Sequence, residues 1–335
     1  MTKGTKAFRI IISILLALTM LCTAFFSLAF YAVATRMVLS DEYGIFVAGV
    51  PVTRANKGDI LGDGTVSYHA SSNTLTFDHA VIETDTTIVY STIDLAIELI
   101  GENKFVCTSD GYAPVVYIAD YYLNKDLSIQ GEGSLILEYS SACTDTVGIM
   151  AADLTVGADI TVITPNCTNI VNGIVCDSSL LVLNKATITV QSGVGTYSMG
   201  VRVRGNVLLE EGSALNVSVS HGAVETCKAL SVNGDLVLGK GSSVNVSVED
   251  ESAAAIECIR VTGVIDVGAD ATLTATAKNT YGIECQGAMK LGKGATVSAT
   301  ADEDHADIFC YGSLVHYGAT LNGEVDALGG IHERS

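Results

Sequence analysis

A short motif recurs seven times from Gly148 onward, and its period constrains the fold more than any other feature of the chain. It joins a small residue to an aliphatic one: Gly148-Ile149, Gly173-Ile174, Gly200-Val201, Ala229-Leu230, Ala255-Ile256, Gly282-Ile283 and, with aspartate in the small place, Asp307-Ile308. The separations are 25, 27, 29, 26, 27 and 25 residues. A fixed period in this range marks a solenoid or array, in which each repeat buries its apolar edge on the next. Segments such as GIMAADLTVGADITVIT and GVRVRGNVLLEEGSALNVSVS each hold three short runs of period-2 alternation, separated by Gly, Asn, Asp and Ser. Three strands per repeat without helical periodicity predict one coil of a parallel β-helix.

The alternation assigns faces. Ile174 with Cys176, Val201 with Val203, and Ile283 with Cys285 are predicted to face the lumen from the first strand of their coils. Ile188, Val190, Val217, Val219, Val246, Val248, Leu273 and Ala275 do so from the third. Between the latter lie Thr187, Thr189, Asn216, Ser218, Asn245, Ser247, Thr272, Thr274, Thr276, Thr296 and Ser298, an outward ladder that suits a flat pleated surface. At ~4.8 Å per coil, about eight or nine coils make a rod on the order of 40 Å long.

The 335 residues carry a formal net charge of −19. Nothing forms a basic stripe able to neutralise phosphates, so nucleic acid is not an expected partner. Lys3, Lys6 and Arg9 precede 25 uncharged positions, Ile10 to Ala34. About 20 apolar residues suffice to cross a bilayer, and preceding positive charge leaves the remainder exported. Residues 1–36 are therefore expected to be a signal anchor that tethers the chain to the membrane. Ala32-Val33-Ala34 leaves open the alternative of a signal peptide cleaved before Thr35. Leu21 is too large for the position before a lipoprotein cysteine at Cys22.

Export bears on the cysteines. Cys176, Cys258, Cys285 and Cys310 are predicted to share one inward site of the first strand and to act as small apolar residues. Cys107, Cys143, Cys167 and Cys227 are placed where the third strand ends. Among these, Cys143 and Cys167 fall in adjacent coils, within the Cα range of a disulfide.

Ahead of the coils stand Val47-Ala48-Gly49-Val50-Pro51-Val52-Thr53, Ile60-Leu61-Gly62-Asp63-Gly64-Thr65-Val66-Ser67-Tyr68 and Ser72-Asn73-Thr74-Leu75-Thr76-Phe77-Asp78-His79-Ala80. This leader, followed by Gly-Ile coils, resembles a group of exported β-helix proteins of Firmicutes and Actinobacteria described as carbohydrate-binding-domain-containing. They are similar to the clostridial cellulose- and pectate-binding β-helix family, which has a pectate-lyase-like fold and binds calcium. The resemblance covers about residues 44 to 325. It implies an all-β, right-handed parallel β-helix, pectate-lyase-like, that binds polysaccharide, a plant cell-wall or host glycan, with Ca²⁺ as a possible cofactor. The family's calcium ligands match no motif here, so none is carried over. Handedness also follows from the general preference of parallel crossovers. A solenoid needs an atypical end, so 44–84 is read as an N-terminal β cap and 85–328 as the β-helix.

Candidate site residues come from the outward positions of the first strand: Asp177, Arg202, Arg204, Asn233, Glu257, Glu284, Gln286 and Tyr311. Glu257 and Glu284 are read as equivalent in adjacent coils, about 5 Å apart, the separation of a retaining glycosidase pair. Arg202 and Arg204 are placed to meet an acidic sugar. Against catalysis, no paired-aspartate, His-Gly or Arg-Ile-Lys pattern of the pectinase type is present. The chain has no tryptophan, so Tyr117, Tyr121 and Tyr122 are the expected sugar-stacking rings. Two acidic turns, Glu249-Asp250-Glu251 and Asp302-Glu303-Asp304, offer the oxygens that Ca²⁺ takes. The expected function is non-catalytic polysaccharide binding at the cell surface. A scaffold or adhesin that contacts proteins is the first alternative, and a polysaccharide lyase or hydrolase the second.

Overall fold

Each repeat folds into three strands that hydrogen-bond to the equivalent strands of the coils before and after it. The structure is a computed structural model that describes residues 42–109, 114–118, 125–140, 143–164, 167–193, 195–220, 225–249, 255–277, 281–301 and 305–334. From Ile45 onward these residues belong to one compact unit. They form two twelve-stranded sheets and one ten-stranded sheet. The result is an all-β, right-handed β-solenoid of about eight turns, with no helix among the described residues. One coil runs from Ile170–Cys176 in the first sheet through Leu180–Val182 in the second to Thr187–Ser192 in the third.

Before the regular coils the pairing is antiparallel. Glu42–Val47 runs antiparallel to Val89–Ser91, and Val66–His69 forms a hairpin with Thr74–Asp78. Thr74–Asp78 and Val81–Thr84 then join the parallel ladders of the second and third sheets. Residues 1–36 lie outside the described residues. Among the described residues no helix is long and apolar enough to cross a membrane.

The third sheet follows its alternation throughout. Ile188, Val190, Val217, Val219, Leu273 and Ala275 are buried. Thr189, Asn216, Asn245, Thr274 and Ser298 stand in one outward column. Asn245 Nδ2 donates to Asn216 Oδ1 at 2.9 Å within it.

The small residue of the motif has a geometric reason. In the first sheet the paired positions are Val147↔Asn172 and then Ile149↔Ile174, so Gly148 and Gly173 drop out of the ladder. Each strand bends there, and the alternation slips by one: Val171 and Gly173 face inward, and so do Ile174 and Cys176. At the bend the backbone presses on the third sheet. A Cβ at Gly173 would collide with Val190 Cγ1 and the Gly200 carbonyl oxygen, and one at Gly200 with Val217 Cγ1 and the Ala229 carbonyl oxygen. From Gly148 to Gly282 this place is held by Gly, Ala or Cys, with Val115 one coil earlier and Asp307 one coil later.

This bend corrects one coil of the sequence alignment. Leu230 pairs with Ile259, and Ile259 with Ile283. The fifth motif is therefore Cys258-Ile259, not Ala255-Ile256. Ile256 belongs to the half-strand before the bend, opposite Cys227. The cysteine columns change accordingly. Cys285 and Cys310 are partners, and they continue the column of Cys176 through Val203, Val232 and Val261, whereas Cys258 stands at the bend. Cys227 lies within a first-sheet strand, not at the end of a third strand. All five are buried, and burial raises the thiols of Cys176 and Cys258, the latter to about 12, which keeps them protonated apolar filler.

Gly173→Leu should lower stability by about 2–3 kcal/mol, the cost of overpacking a filled core. Thermal unfolding followed by circular dichroism measures it, and an unchanged midpoint would show that the bend tolerates side chains.

Candidate functional site

Outward residues of the first sheet line up because the register repeats coil after coil at ~4.8 Å. One column reads Phe46, Tyr90, Tyr117, Met150, Val175, Arg202, Ser231, Arg260, Glu284, Phe309 and Asp326. Aromatic rings occupy one end, charged groups the middle, and a ring flanked by carboxylates the other end.

At the first end, ring centroids are 5.9 Å apart for Phe46–Tyr90 and 5.7 Å for Tyr90–Tyr117, within the range of favourable aromatic pairs. Tyr117 thus joins an outward aromatic ladder. Tyr121 and Tyr122 lie outside the described residues.

Next along the face is a shallow depression of about 240 Å³ lined by Asp145, Met150, Ile170, Asp177, Arg202 and Arg204, among others. Arg204 Nη1 pairs with Asp177 Oδ1 at 3.2 Å. Asp145 Oδ1 accepts from Asn169 Nδ2 at 2.7 Å and from the Ile170 N–H at 3.0 Å. Positive and negative groups therefore balance here, and the pair of arginines is not a simple anion trap.

The carboxylates of the middle section are placed differently from the sequence expectation. Glu257 opposes Lys228, and Glu284 opposes Arg260, so Glu257 and Glu284 are not equivalent positions of adjacent coils. The cause is the bend after Cys258, which puts Glu257 before it and Arg260 after it. Glu257 Oε2 lies 2.8 Å from Lys228 Nζ, and Oε1 accepts from Arg260 Nη1 at 2.8 Å. All three side chains are about one-quarter exposed, 21% for Glu257, 22% for Lys228 and 32% for Arg260, so this triad is worth more than a fully solvated pair. Sequence reasoning missed Lys228 and Arg260 because the misaligned coil hid their opposition to glutamates.

A second group was also missed. Asp94, Asp126 and Asp153 occupy the turn between the first and second sheets of three successive coils and line a depression of about 320 Å³. The Asp126 N–H donates to Asp94 Oδ1 at 3.1 Å, that of Asp153 to Asp126 Oδ1 at 3.3 Å, and that of Ser179 to Asp153 Oδ1 at 2.7 Å. Asn206 and Asp235 repeat the contact farther along. Burial raises the Asp126 carboxyl above its usual range; the Asp153 N–H opposes this, and the charges of Asp153 and Asp94 add to it.

For the calcium expectation, only Glu249 lies among the described residues. It is exposed just after Ser243–Val248, and its N–H donates to the Val219 carbonyl at 3.1 Å. Asp250, Glu251, Asp302, Glu303 and Asp304 lie outside them. Among the described residues no three His, Cys, Asp or Glu side chains are grouped to hold a metal. Cys143 and Cys167 are joined by a disulfide, with Cα atoms 4.9 Å apart and Val171 packed beside them.

Glu257→Gln should destabilise the fold by about 1–2 kcal/mol through loss of charge-assisted bonds to Lys228 and Arg260, read as a lower urea midpoint at unchanged slope. Asp126→Asn keeps the oxygen that accepts from Asp153 and removes a charge. Because the folded state holds the Asp126 proton more tightly than the unfolded chain, this site's contribution to stability is lost as pH rises through the folded pKa. The variant should therefore be more stable at pH 7, by about 0.5 kcal/mol or less for so exposed a group, and indistinguishable at pH 3. Equal effects at both pH values would remove the charge argument.

A scan against protein-family models, a search of curated proteins and a search of solved structures each find no match.

Proposed function

We propose that the outer face of the first sheet binds polysaccharide and does not cut it, in a protein exported and tethered to the cell surface by residues 1–36. The observation that carries this reading is the single outward column with aromatic rings towards both ends and hydrogen-bonding charges between them. Tyrosine and phenylalanine rings stack on the C–H faces of sugars, and Arg, Glu and Asp side chains exchange hydrogen bonds with hydroxyls. From Tyr117 to Phe309 the column advances seven coils, or ~34 Å, a length that fits an extended polymer. The depressions described along the solenoid are open to solvent, about 240 to 380 Å³, at the low end of the roughly 300–1,000 Å³ of enclosed small-molecule pockets.

Binding without cleavage is favoured because Glu257 is occupied by Lys228 and Arg260 and stands out of register with Glu284. Calcium, if bound, would serve the acidic turns at Glu249–Glu251 and 302–304. Residues 44–84 would act as the cap of the first coils. A second reading, a scaffold or adhesin that contacts proteins, draws on the third sheet's uncharged ladder of Thr, Ser and Asn.

The full-length protein, purified in mild detergent, should be retarded in affinity gels that contain at least one polymer among cellulose derivatives, polygalacturonate and mucin glycans. Tyr90→Ala with Tyr117→Ala should weaken that retardation about tenfold. Absence of retardation on every polymer would favour the scaffold reading, and reducing-end or unsaturated products in the same tubes would establish catalysis. Chelator should lower the melting temperature and the retardation together if calcium acts at the turns; a melting temperature insensitive to calcium removes the ion.

A further inference from the structure

Four rings meet at the far end of the same face, in residues that neither motif nor spacing had singled out together. Tyr281 and Phe309 are stacked, with centroids 5.1 Å apart and planes at 27°. Phe309 meets Tyr311 edge-on at 4.8 Å, and Tyr281 meets His305 edge-on at 4.9 Å. Tyr311 is 51% exposed. In the register of the first sheet Phe309 stands between Glu284 on one side and Asp326 on the other.

We infer that Tyr281, Phe309 and Tyr311 form a stacking platform for the pyranose rings of an uncharged glycan. The inference rests on the polysaccharide reading and supplies its ligand class. Two arguments select the occupant. Edge-on and stacked rings with one open member present a ring face and a ring edge to solvent, the shape that the axial C–H face of a gluco-type pyranose covers. The neighbouring carboxylates, each one coil (~4.8 Å) from Phe309, are acceptors only, so they suit sugar hydroxyls and repel the carboxylate of a uronic acid. The net charge of −19 adds to that repulsion. Beside the column Arg204 is paired with Asp177, and the arginines of the column itself, Arg202 and Arg260, stand two or more coils from Phe309. A uronate polymer is therefore the disfavoured ligand, and a neutral glycan the favoured one.

The chain contains no tryptophan, which makes a direct test available. Tyr311→Trp in the full-length protein places a single indole on the platform without removing the ring. Titration with cellohexaose should shift its emission, and polygalacturonate should not. Tyr311→Ala should weaken cellohexaose binding about tenfold at an unchanged melting temperature, since its ring is half exposed. Glu284→Gln with Asp326→Asn should narrow the gap in affinity between cellohexaose and polygalacturonate. Silent emission together with unchanged affinity of Tyr311→Ala, while Tyr90→Ala with Tyr117→Ala loses binding, overturns the platform and leaves the glycan reading standing. Polygalacturonate bound as tightly as cellohexaose overturns the ligand class. If the wild-type protein binds no glycan, both fall together.

Discussion

Everything on the surface of this solenoid depends on parallel register. Each coil satisfies its backbone N–H and C=O groups through the coils above and below, so the spacing is set by hydrogen bonding and every outward side chain becomes a member of a column. From Gly148 to Gly282 that register is accompanied by a small residue at the bend of the first sheet. The bend lets two consecutive residues face the lumen, Gly173 and Ile174 for example, and it presses the strand against Val190 of the third sheet. A larger side chain there has no free space to enter, so a close backbone approach, and not a conformational demand of glycine, fixes the motif.

The same bend explains what could and could not be read from the amino acids. Uninterrupted alternation made the third sheet legible residue by residue: Ile188, Val190 and Val217 inside, Thr189 and Asn216 outside. The first sheet was legible only up to an ambiguity. Ala255-Ile256 and Cys258-Ile259 both satisfy a small-aliphatic pattern, and composition alone does not choose between them. Stacking does, because Leu230 must meet an inward residue after the bend, and Ile259 is that residue. The three-residue error then propagated to chemistry by setting Glu257 against Glu284. The aspartate ladder was visible without being used: Asp94-Leu95, Asp126-Leu127, Asp153-Leu154, Asn206-Val207 and Asp235-Leu236 each put a short acceptor just before the second strand. Tyr281 and Phe309 gave no comparable signal, since they come from different coils and only one of them lies on a strand.

Charge distribution carries the functional argument further than fold does, because a β-solenoid by itself supports many activities. A chain with 18 basic and 37 acidic residues sets Arg202, Arg204, Lys228 and Arg260 on one outer face, and it sets carboxylates beside them. Arg204 is matched by Asp177, and Lys228 and Arg260 share Glu257. Such a face holds rigid donors and acceptors in fixed positions while its local charge stays near balance. Glu257 is engaged by both of its basic neighbours.

In the proposed function, this face would take ligands that are long, polar and weakly charged. Rings at Tyr90 and Tyr117 and at Phe309 and Tyr311 each offer modest stacking energy, roughly 0.5–1.5 kcal/mol beyond the area they bury. No single contact would hold a sugar. Contacts repeated along one column act on one chain, so the second and later contacts are intramolecular and their effect multiplies through effective concentration. A rigid solenoid is suited to this because its spacing is set by the backbone, and little ordering is left for binding to impose on the protein.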